Sequence, residues 1–267
     1  MRGPALRVSV VRVPVVRHTT RRRRARQRRA LWAGGEALVT VGIVLLLLVV
    51  HQVWWTNRQA RQGAEREVAA LEEEWGEATT GVQESDPKDA AGSGVPAERP
   101  ARTQRPAPAS APTRAPLPSH AYAILTIPRL NLRVPVAEGI SKPHVLNKGY
   151  AGHYPGTAQP GHAGNFALAG HRNTHGEPFR YLDRLGDGDR IVVQTRSAVY
   201  TYAVDQTVPQ TSARDTGVIR PVPRSLVHPA RGYRAPGYYI TLTTCTPEYT
   251  SKYRLVVWGT LLSMGPR

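Results

Sequence analysis

Cys245 is the only cysteine in the 267-residue chain, and its sequence neighbours suit it to nucleophilic chemistry. It ends the β-branched and aromatic run 239–244, and the polar turn 247–252 leads into a second such run, 253–262. Arg254 lies nine residues after the cysteine, near the start of that second run. If the two runs pair as a hairpin, the guanidinium lies beside the thiol. There it can stabilise the oxyanion that forms when a thiolate attacks a carbonyl.

A cysteine nucleophile also needs an acid–base partner, and His171 is the best placed of the nine histidines. It directly follows the apolar run 164–170 and precedes a polar loop, so it occupies a strand end as Cys245 does. The other histidines, His153 among them, lie in the N-terminal segments, the linker or loop-like sequences. A structural interpretation of all three residues stays open at this point, because a lone cysteine is often a small buried apolar residue.

Short runs of β-branched and aromatic residues after residue 120 are the elements that must position these side chains. Gly, Pro, Asn and Asp separate the runs, and this spacing predicts an all-β barrel or sandwich of about 145 residues. A short helix is predicted over residues 179–185. The Pro- and Arg-rich stretch 206–236 is interpreted either as a specificity loop or as a plain surface connection. The runs are 121–127, 164–170, 190–195, 198–204, 237–244 and 253–262.

The N-terminal part of the chain predicts a membrane anchor. Eleven arginines and no acidic residue precede Glu36, and they account for most of the net charge of +17. The uncharged run 37–50, extended to residues 31–55, gives about 25 residues, which is long enough to cross a bilayer. The arginines place the N-terminus in the cytoplasm. We therefore favour a transmembrane helix over a cleaved signal peptide or a nucleic-acid-binding tail.

These patterns divide the chain into four parts. Residues 1–30 are a basic, disordered cytoplasmic arm, and residues 31–55 are the transmembrane helix. Residues 56–119 form a juxtamembrane helix followed by a disordered Pro-rich linker, which holds a domain away from the bilayer. Residues 120–267 are the folded domain, which would lie outside the cytoplasm on a single-pass membrane protein. No phosphate-binding loop or His/Cys cluster with metal-ligand spacing occurs, so we expect no metal site.

Three motifs, in this order along the chain, resemble the sortase family. ILTIPRLNLRVPVAEG (124–139) is similar to the opening strands, and GNFALAGHR (164–172) to the strand that delivers the catalytic histidine. TLTTC followed by TPEY and YRLVVWG resembles the sortase active-site hairpin, Leu-x-Thr-x-Cys with an arginine on the next strand. The resemblance covers residues 121–263. The TTCTPEYTSKYR sequence, its cysteine–arginine spacing and the N-terminal anchor are most similar to class E sortases of actinobacteria.

The resemblance implies a fold and a set of roles. The fold would be a sortase-type β-barrel of about eight strands with short helices, preceded by one transmembrane helix and a disordered linker. Cys245 would be the nucleophile, His171 the general acid/base, and Arg254 the oxyanion or substrate-positioning residue. Thr243 and Thr244 are candidate substrate-binding residues. The calcium-binding carboxylates of some class A sortases have no equivalent here, so neither metal nor cofactor is expected.

The implied reaction is transpeptidation at a C-terminal sorting signal of the Leu-x-x-Thr-Gly kind, with Leu-Ala-x-Thr-Gly expected for class E. Cys245 would cleave between Thr and Gly, and an amine on a lipid-linked peptidoglycan precursor would resolve the thioester. The partners would be surface proteins and that precursor, with no nucleic acid and a monomeric enzyme. Two alternatives remain: a hydrolytic cysteine peptidase or L,D-transpeptidase, and a non-catalytic membrane-tethered accessory module. The Ser-x-Gly-Cys context usual for L,D-transpeptidases is absent.

Overall fold

One long helix, eight strands and four short 3₁₀ turns make up the regular structure of the described residues. The computed structural model describes residues 18–80 and 120–267. Helix α1 (His18–Thr80) comes first. The strands are β1 (Ala121–Ile127), β2 (Leu132–Glu138), β3 (Ala151–His153), β4 (Gly164–Ala169), β5 (Arg190–Thr195), β6 (Ala198–Ser212), β7 (Tyr238–Thr246) and β8 (Tyr253–Pro266).

The eight strands close into a barrel in the order β1-β2-β3-β4-β7-β8-β6-β5. Strands β2 and β3 pair in parallel, as do β4 and β7, and the other neighbours are antiparallel. Closure leaves no unpaired edge. The predicted all-β barrel of about eight strands is thereby confirmed.

The barrel interior takes alternate residues from each strand, as the two-residue period of a strand requires. Phe166 and Leu168 of β4, Leu242 of β7, and Leu255 and Val257 of β8 all belong to the main core cluster. The intervening residues face outwards. On the outer side of β8, Val256 and Trp258 form a second cluster with Val208 and Val218.

Several element boundaries differ from those predicted. Strand β6 continues to Ser212 because it pairs with β8 over its full length, so the connection to β7 is residues 213–237 rather than 206–236. A register irregularity between Val208 and Thr211 spans Pro209, which has no N–H to donate to a ladder. The helix predicted over 179–185 is reduced to a 3₁₀ turn, Leu182–Arg184.

Helix α1 begins earlier than the predicted transmembrane segment. Residues 18–30, predicted as part of a disordered arm, are helical, and their Ala, Arg and Gln content favours continuation of the helix. The predicted span 31–55 lies within a candidate membrane-spanning stretch, Arg26–Glu77. The first seventeen residues of the arm and the Pro-rich linker, 81–119, lie outside the described residues.

The chain divides into two units at residue 52, and the barrel unit, Val53–Arg267, includes the last turns of α1. Within that unit the helix packs on the barrel through a stripe of buried residues with helical i+3 and i+4 spacing. The stripe consists of Ala60, Ala64, Val68, Leu71 and Trp75. We call residues 57–75 the docking segment. A juxtamembrane helix was predicted here, but its packing against the barrel was not.

Candidate active site

Three adjacent strands, β4, β7 and β8, bring the predicted catalytic residues together. Cys245 and Arg254 are direct partners in the antiparallel β7–β8 ladder, as the hairpin hypothesis required. Directly opposed residues on antiparallel strands project from the same face, with Cβ atoms about 5 Å apart. Cys245 is a half-buried free thiol. The side chains of Arg254 and Cys245 therefore leave the sheet side by side on the outer face of the barrel.

The parallel β4–β7 pairing places His171 on the other side of the cysteine. Ala169 is the register partner of Thr243, so a step of two residues along each strand leads to His171 and Cys245. Two hydrogen bonds carry the pairing beyond the end of β4. The Gly170 N–H donates to the Thr243 carbonyl at 3.1 Å, and Thr244 Oγ1 donates to the Gly170 carbonyl at 2.8 Å.

His171 lies in a partly buried environment, with Asn147 from another segment and His175 from its own loop as neighbours. Its Nε2 donates to Oδ1 of Asn147 at 2.9 Å. Its ring stacks on that of His175, with centroids 5.3 Å apart. Burial, as the largest cause, and the charges of His175 and Lys142 together lower the pKa of His171 from 6.5 to about 4. The resting imidazole is therefore neutral at neutral pH.

Arg254 is held by its own turn as well as by its strand. Its Nη1 donates to the carbonyls of Ser251 and Tyr253, both at 2.9 Å. Arg254 also lines a small cavity of about 110 Å³. Thr243, Tyr154 and Asp215 also line this cavity. It is a candidate subsite for one substrate side chain or carbonyl.

The two threonines proposed as substrate contacts are buried, each with 3% of its surface exposed. Thr243 Oγ1 donates to the Leu168 carbonyl at 3.2 Å and receives the Tyr154 hydroxyl at 3.0 Å. Thr243 also lines the cavity beside Arg254. The hydroxyl of Thr244 instead donates to Gly170, so it holds the β4 end on β7. Substrate binding by these two residues stays a prediction.

Asp215 organises the connection 213–237, which forms one wall of the cavity. Its carboxylate accepts hydrogen bonds from Thr211 Oγ1 at 2.6 Å, Ser225 Oγ at 2.5 Å and the Leu226 N–H at 2.8 Å. Burial alone would raise the pKa of Asp215, but the hydrogen bonds from Ser225, Thr211 and the backbone outweigh it and lower the pKa. The connection is thus anchored at its β6 end.

Sequence reasoning missed two residues that contact the site. Arg172 is buried, and its Nη1 donates to Thr246 Oγ1 at 3.0 Å and to the Cys245 carbonyl at 3.4 Å. The only available signal was its position directly after His171. Asn147, which binds His171, lies in a 3₁₀ turn that carries no motif.

His153 also differs from its prediction as a loop residue. It ends β3 and is buried, with Nδ1 2.7 Å from Oε2 of Glu138 and Nε2 3.1 Å from the Ala158 carbonyl oxygen. Over residues 18–80 and 120–267, no group of three or more His, Cys, Asp or Glu side chains could hold a metal ion.

Comparison with known proteins gives matches over the whole barrel. A family model described as "Sortase domain" matches residues 125–262. Sortase SrtE1 of Streptomyces coelicolor is 41% identical over 238 residues, which are 87% of this chain and 57% of that protein. Sortase SrtE2 of the same organism is 33% identical over 233 residues, which are 85% of this chain and 80% of that protein. The chain thus spans little more than half the length of SrtE1.

Comparison with solved structures also finds similarity to sortases of the E type. The crystal structure of sortase E1 from Streptomyces coelicolor with a tripeptide in its active site superposes with a TM-score of 0.53 and 50% sequence identity. The match covers 57% of this chain and 94% of that chain.

Proposed function

The chain belongs to the sortase family, as its three motifs predicted, and we propose that it is a class E-type cysteine transpeptidase. Its substrate would be a surface protein with a C-terminal sorting signal of the Leu-x-x-Thr-Gly kind, with a preference for Leu-Ala-x-Thr-Gly. Its acceptor would be an amine of a lipid-linked peptidoglycan precursor. The product would be a surface protein joined covalently to the cell wall.

The proposed reaction has two acyl transfers. In the first, His171 takes the proton of the Cys245 thiol as the sulfur attacks the carbonyl of the signal's Thr. The Thr–Gly bond then breaks, and His171 delivers that proton to the glycine amine as it leaves. In the second, the acceptor amine attacks the thioester, His171 takes a proton from that amine, and the thiol is regenerated. Arg254 would stabilise the oxyanion in both steps.

The register of three strands is the observation that carries this proposal. Cys245 lies on the middle strand, opposite Arg254 on β8 and level with His171 at the end of β4. In this arrangement Arg254 would supply a cation on one side of the thiol and His171 an imidazole on the other. The small cavity between Thr243 and Arg254 would accept a residue of the sorting signal.

Location at the cell membrane agrees with the candidate span in α1. We propose that the N-terminus is cytoplasmic and the barrel extracytoplasmic, because the N-terminal arginines precede the apolar run. Both proposed substrates would then be on the barrel's side of the membrane.

The test is an acceptor titration of the full-length chain in detergent micelles. A labelled peptide containing Leu-Ala-x-Thr-Gly is incubated with increasing triglycine, and the products are identified by mass spectrometry. We expect the product joined to triglycine to increase with acceptor concentration. A matched peptide with the Thr and Gly exchanged should give none. Free acid as the sole product at every acceptor concentration would identify a hydrolytic peptidase instead.

The non-catalytic alternative makes a different prediction in cells. If the protein only tethers or presents clients, Cys245→Ala would leave their covalent surface attachment undiminished. Under the proposed function, the same variant abolishes attachment while the protein still accumulates in the membrane.

A further inference from the structure

The loop that follows His171 adopts a backbone conformation that requires outside support. His175, Gly176 and Glu177 all have positive φ angles, of 52°, 84° and 54°. Two of these residues are not glycine, and side-chain sterics disfavour the left-handed region for them. The Phe179 N–H donates to the His171 carbonyl at 3.0 Å and closes the loop. Any relaxation of this strained turn would be transmitted to His171.

The docking segment of α1 supplies that support through direct hydrogen bonds. Arg61 Nε donates to the Gly176 carbonyl at 3.0 Å, and its Nη2 pairs with Glu177 Oε2 at 2.9 Å. Asn57 Nδ2 donates to Glu177 Oε1 at 2.9 Å, while its Oδ1 accepts from the Gly176 N–H at 3.4 Å. Two side chains, one helical turn apart, thus bind both residues at the centre of the loop.

The burial of the Glu177 side chain makes these contacts necessary. Its side chain is only 6% exposed, so its carboxylate must be paired inside the protein. Arg180, from the same loop, donates to Oε2 at 2.8 Å, but the hydrogen bond to Oε1 comes from Asn57. Without Asn57, Oε1 of this buried carboxylate would lose its hydrogen bond, and without Arg61, Oε2 would lose one of its two. The strained left-handed turn would then lose the contacts that stabilise it.

The same segment also touches the second neighbour of His171. Asn147, which accepts from His171, lies in the 3₁₀ turn that ends at Gly149. A Cβ on Gly149 would lie 3.1 Å from the Ala60 carbonyl and 3.3 Å from the His175 carbonyl. This glycine therefore lets the helix backbone approach both the Asn147 turn and the histidine loop. Ala64 continues the contact by packing with Val145 and Tyr150.

We propose that the docking segment positions His171, with Arg61 and Asn57 holding its loop in the working conformation. This inference rests on the proposed role of His171 as general acid/base. Arg61 and Asn57 are positioning residues: they bind the loop backbone and Glu177, and they act on the reaction through His171. The helix that leads from the membrane-spanning stretch into the barrel is then a working part of the enzyme rather than a tether.

The chain offers a matched control on the same helix. Glu72 forms an ion pair with Arg133 of β2, at the other end of the docking segment from the histidine loop. Both pairs join the helix to the barrel, and both have a partly exposed partner on the helix. Loss of general helix docking would affect Arg61→Ala and Glu72→Ala alike. Loss of histidine positioning would lower the activity of Arg61→Ala but not that of Glu72→Ala.

The experiment compares full-length variants in detergent micelles. We expect Arg61→Ala and Asn57→Ala to lower kcat by about tenfold to a hundredfold, since misplacing a catalytic group by about 1 Å has effects of this size. KM for the sorting peptide should stay within about twofold, because the cavity beside Arg254 is untouched. Glu72→Ala should leave kcat near that of the parent chain. Arg61→Lys keeps a positive charge beside Glu177, so it should retain more activity than Arg61→Ala.

A second measurement does not require activity. In ¹³C-histidine-labelled protein, His171 is assigned by comparison with His171→Gln, and its titration is followed by NMR. Arg61→Ala should move the pKa of His171 from about 4 towards 6.5 as the loop opens to water, and Glu72→Ala should not. Equal effects of both variants on kcat and on the titration would overturn the inference. An inactive parent chain whose His171 titration still responds only to Arg61→Ala would sink the proposed function and retain the positioning role.

Discussion

Arg254 has a structural role through its backbone and a proposed chemical role through its side chain. Its backbone pairs with Cys245, its guanidinium donates to the carbonyls of Ser251 and Tyr253, and the residue also lines the small cavity. The hairpin, and with it this pairing, could be predicted from sequence because both strands and their turn are local. Asn147, which binds the histidine, and Arg61, which binds its loop, could not be predicted, since they lie in distant segments and belong to no motif.

Arg254→Ala should lower kcat by about a hundredfold, because loss of one oxyanion donor raises the barrier by about 3 kcal/mol. The melting temperature should change little, since the lost side-chain hydrogen bonds are confined to one exposed turn. Steady-state kinetics and thermal unfolding measure the two effects. Arg214→Ala, which removes an exposed cation beside the cavity wall, is the control. Equal activity in the two variants would remove Arg254 from the mechanism.

His171 should make the fold less stable in mild acid. Burial holds its folded pKa at about 4, below the ordinary 6.5, so the unfolded chain binds more protons between these values. Its contribution to stability is therefore complete above 6.5 and is lost as the pH falls through that window. Between about pH 7 and pH 5, the drop in melting temperature should be smaller in His171→Gln than in the parent chain. His162→Gln, an exposed loop control, should behave like the parent; the same drop in all three proteins would contradict the burial effect.

At the scale of elements, the parallel pairing of β4 with β7 places the end of the His171 strand next to the Cys245 strand. These strands are parallel and far apart in sequence, so their adjacency is not readable from local patterns. The runs themselves were readable from composition, and the mismatch at β6 arose because its pairing with β8 continues past Pro209. The short β3, with three residues, gave no recognisable run.

Thr244→Val tests whether that residue binds substrate or holds the strand end. Removing its hydrogen bond to Gly170 should lower the free energy of unfolding by about 1 kcal/mol and reduce kcat, since Gly170 precedes His171. Thr244→Ser keeps the hydroxyl and should stay close to the parent chain. A rise in KM without loss of stability would instead favour the direct substrate contact that the sequence suggested.

At the scale of the whole molecule, one stretch of α1 carries the charge and hydropathy pattern of a membrane anchor. Both the candidate span and the barrel could be predicted, because the length of an apolar run and the two-residue period of strands are strong signals. The packing of residues 57–75 on the barrel was not, because their charged residues also fit a free juxtamembrane helix. The described structure makes that segment part of the barrel unit.

The single cysteine allows the proposed topology to be tested by labelling. In a Cys245→Ala background, Ser197→Cys places a thiol in the exposed turn between β5 and β6, and Arg24→Cys places one before the span. In intact cells, a membrane-impermeant maleimide should label only the first variant. After lysis it should label both. Labelling of Arg24→Cys alone in intact cells would show the opposite orientation and contradict the proposed topology.

Covalent capture of the sorting peptide on Cys245 is the most direct test of the proposed mechanism. The full-length chain is mixed with a Leu-Ala-x-Thr-Gly peptide without acceptor, quenched in acid, and analysed by intact mass and peptide mapping. We expect an adduct of the peptide up to its Thr, located on residue 245, released by hydroxylamine and absent from Cys245→Ala. Cleavage of the peptide at an undiminished rate by Cys245→Ala, or an adduct on another residue, would contradict it.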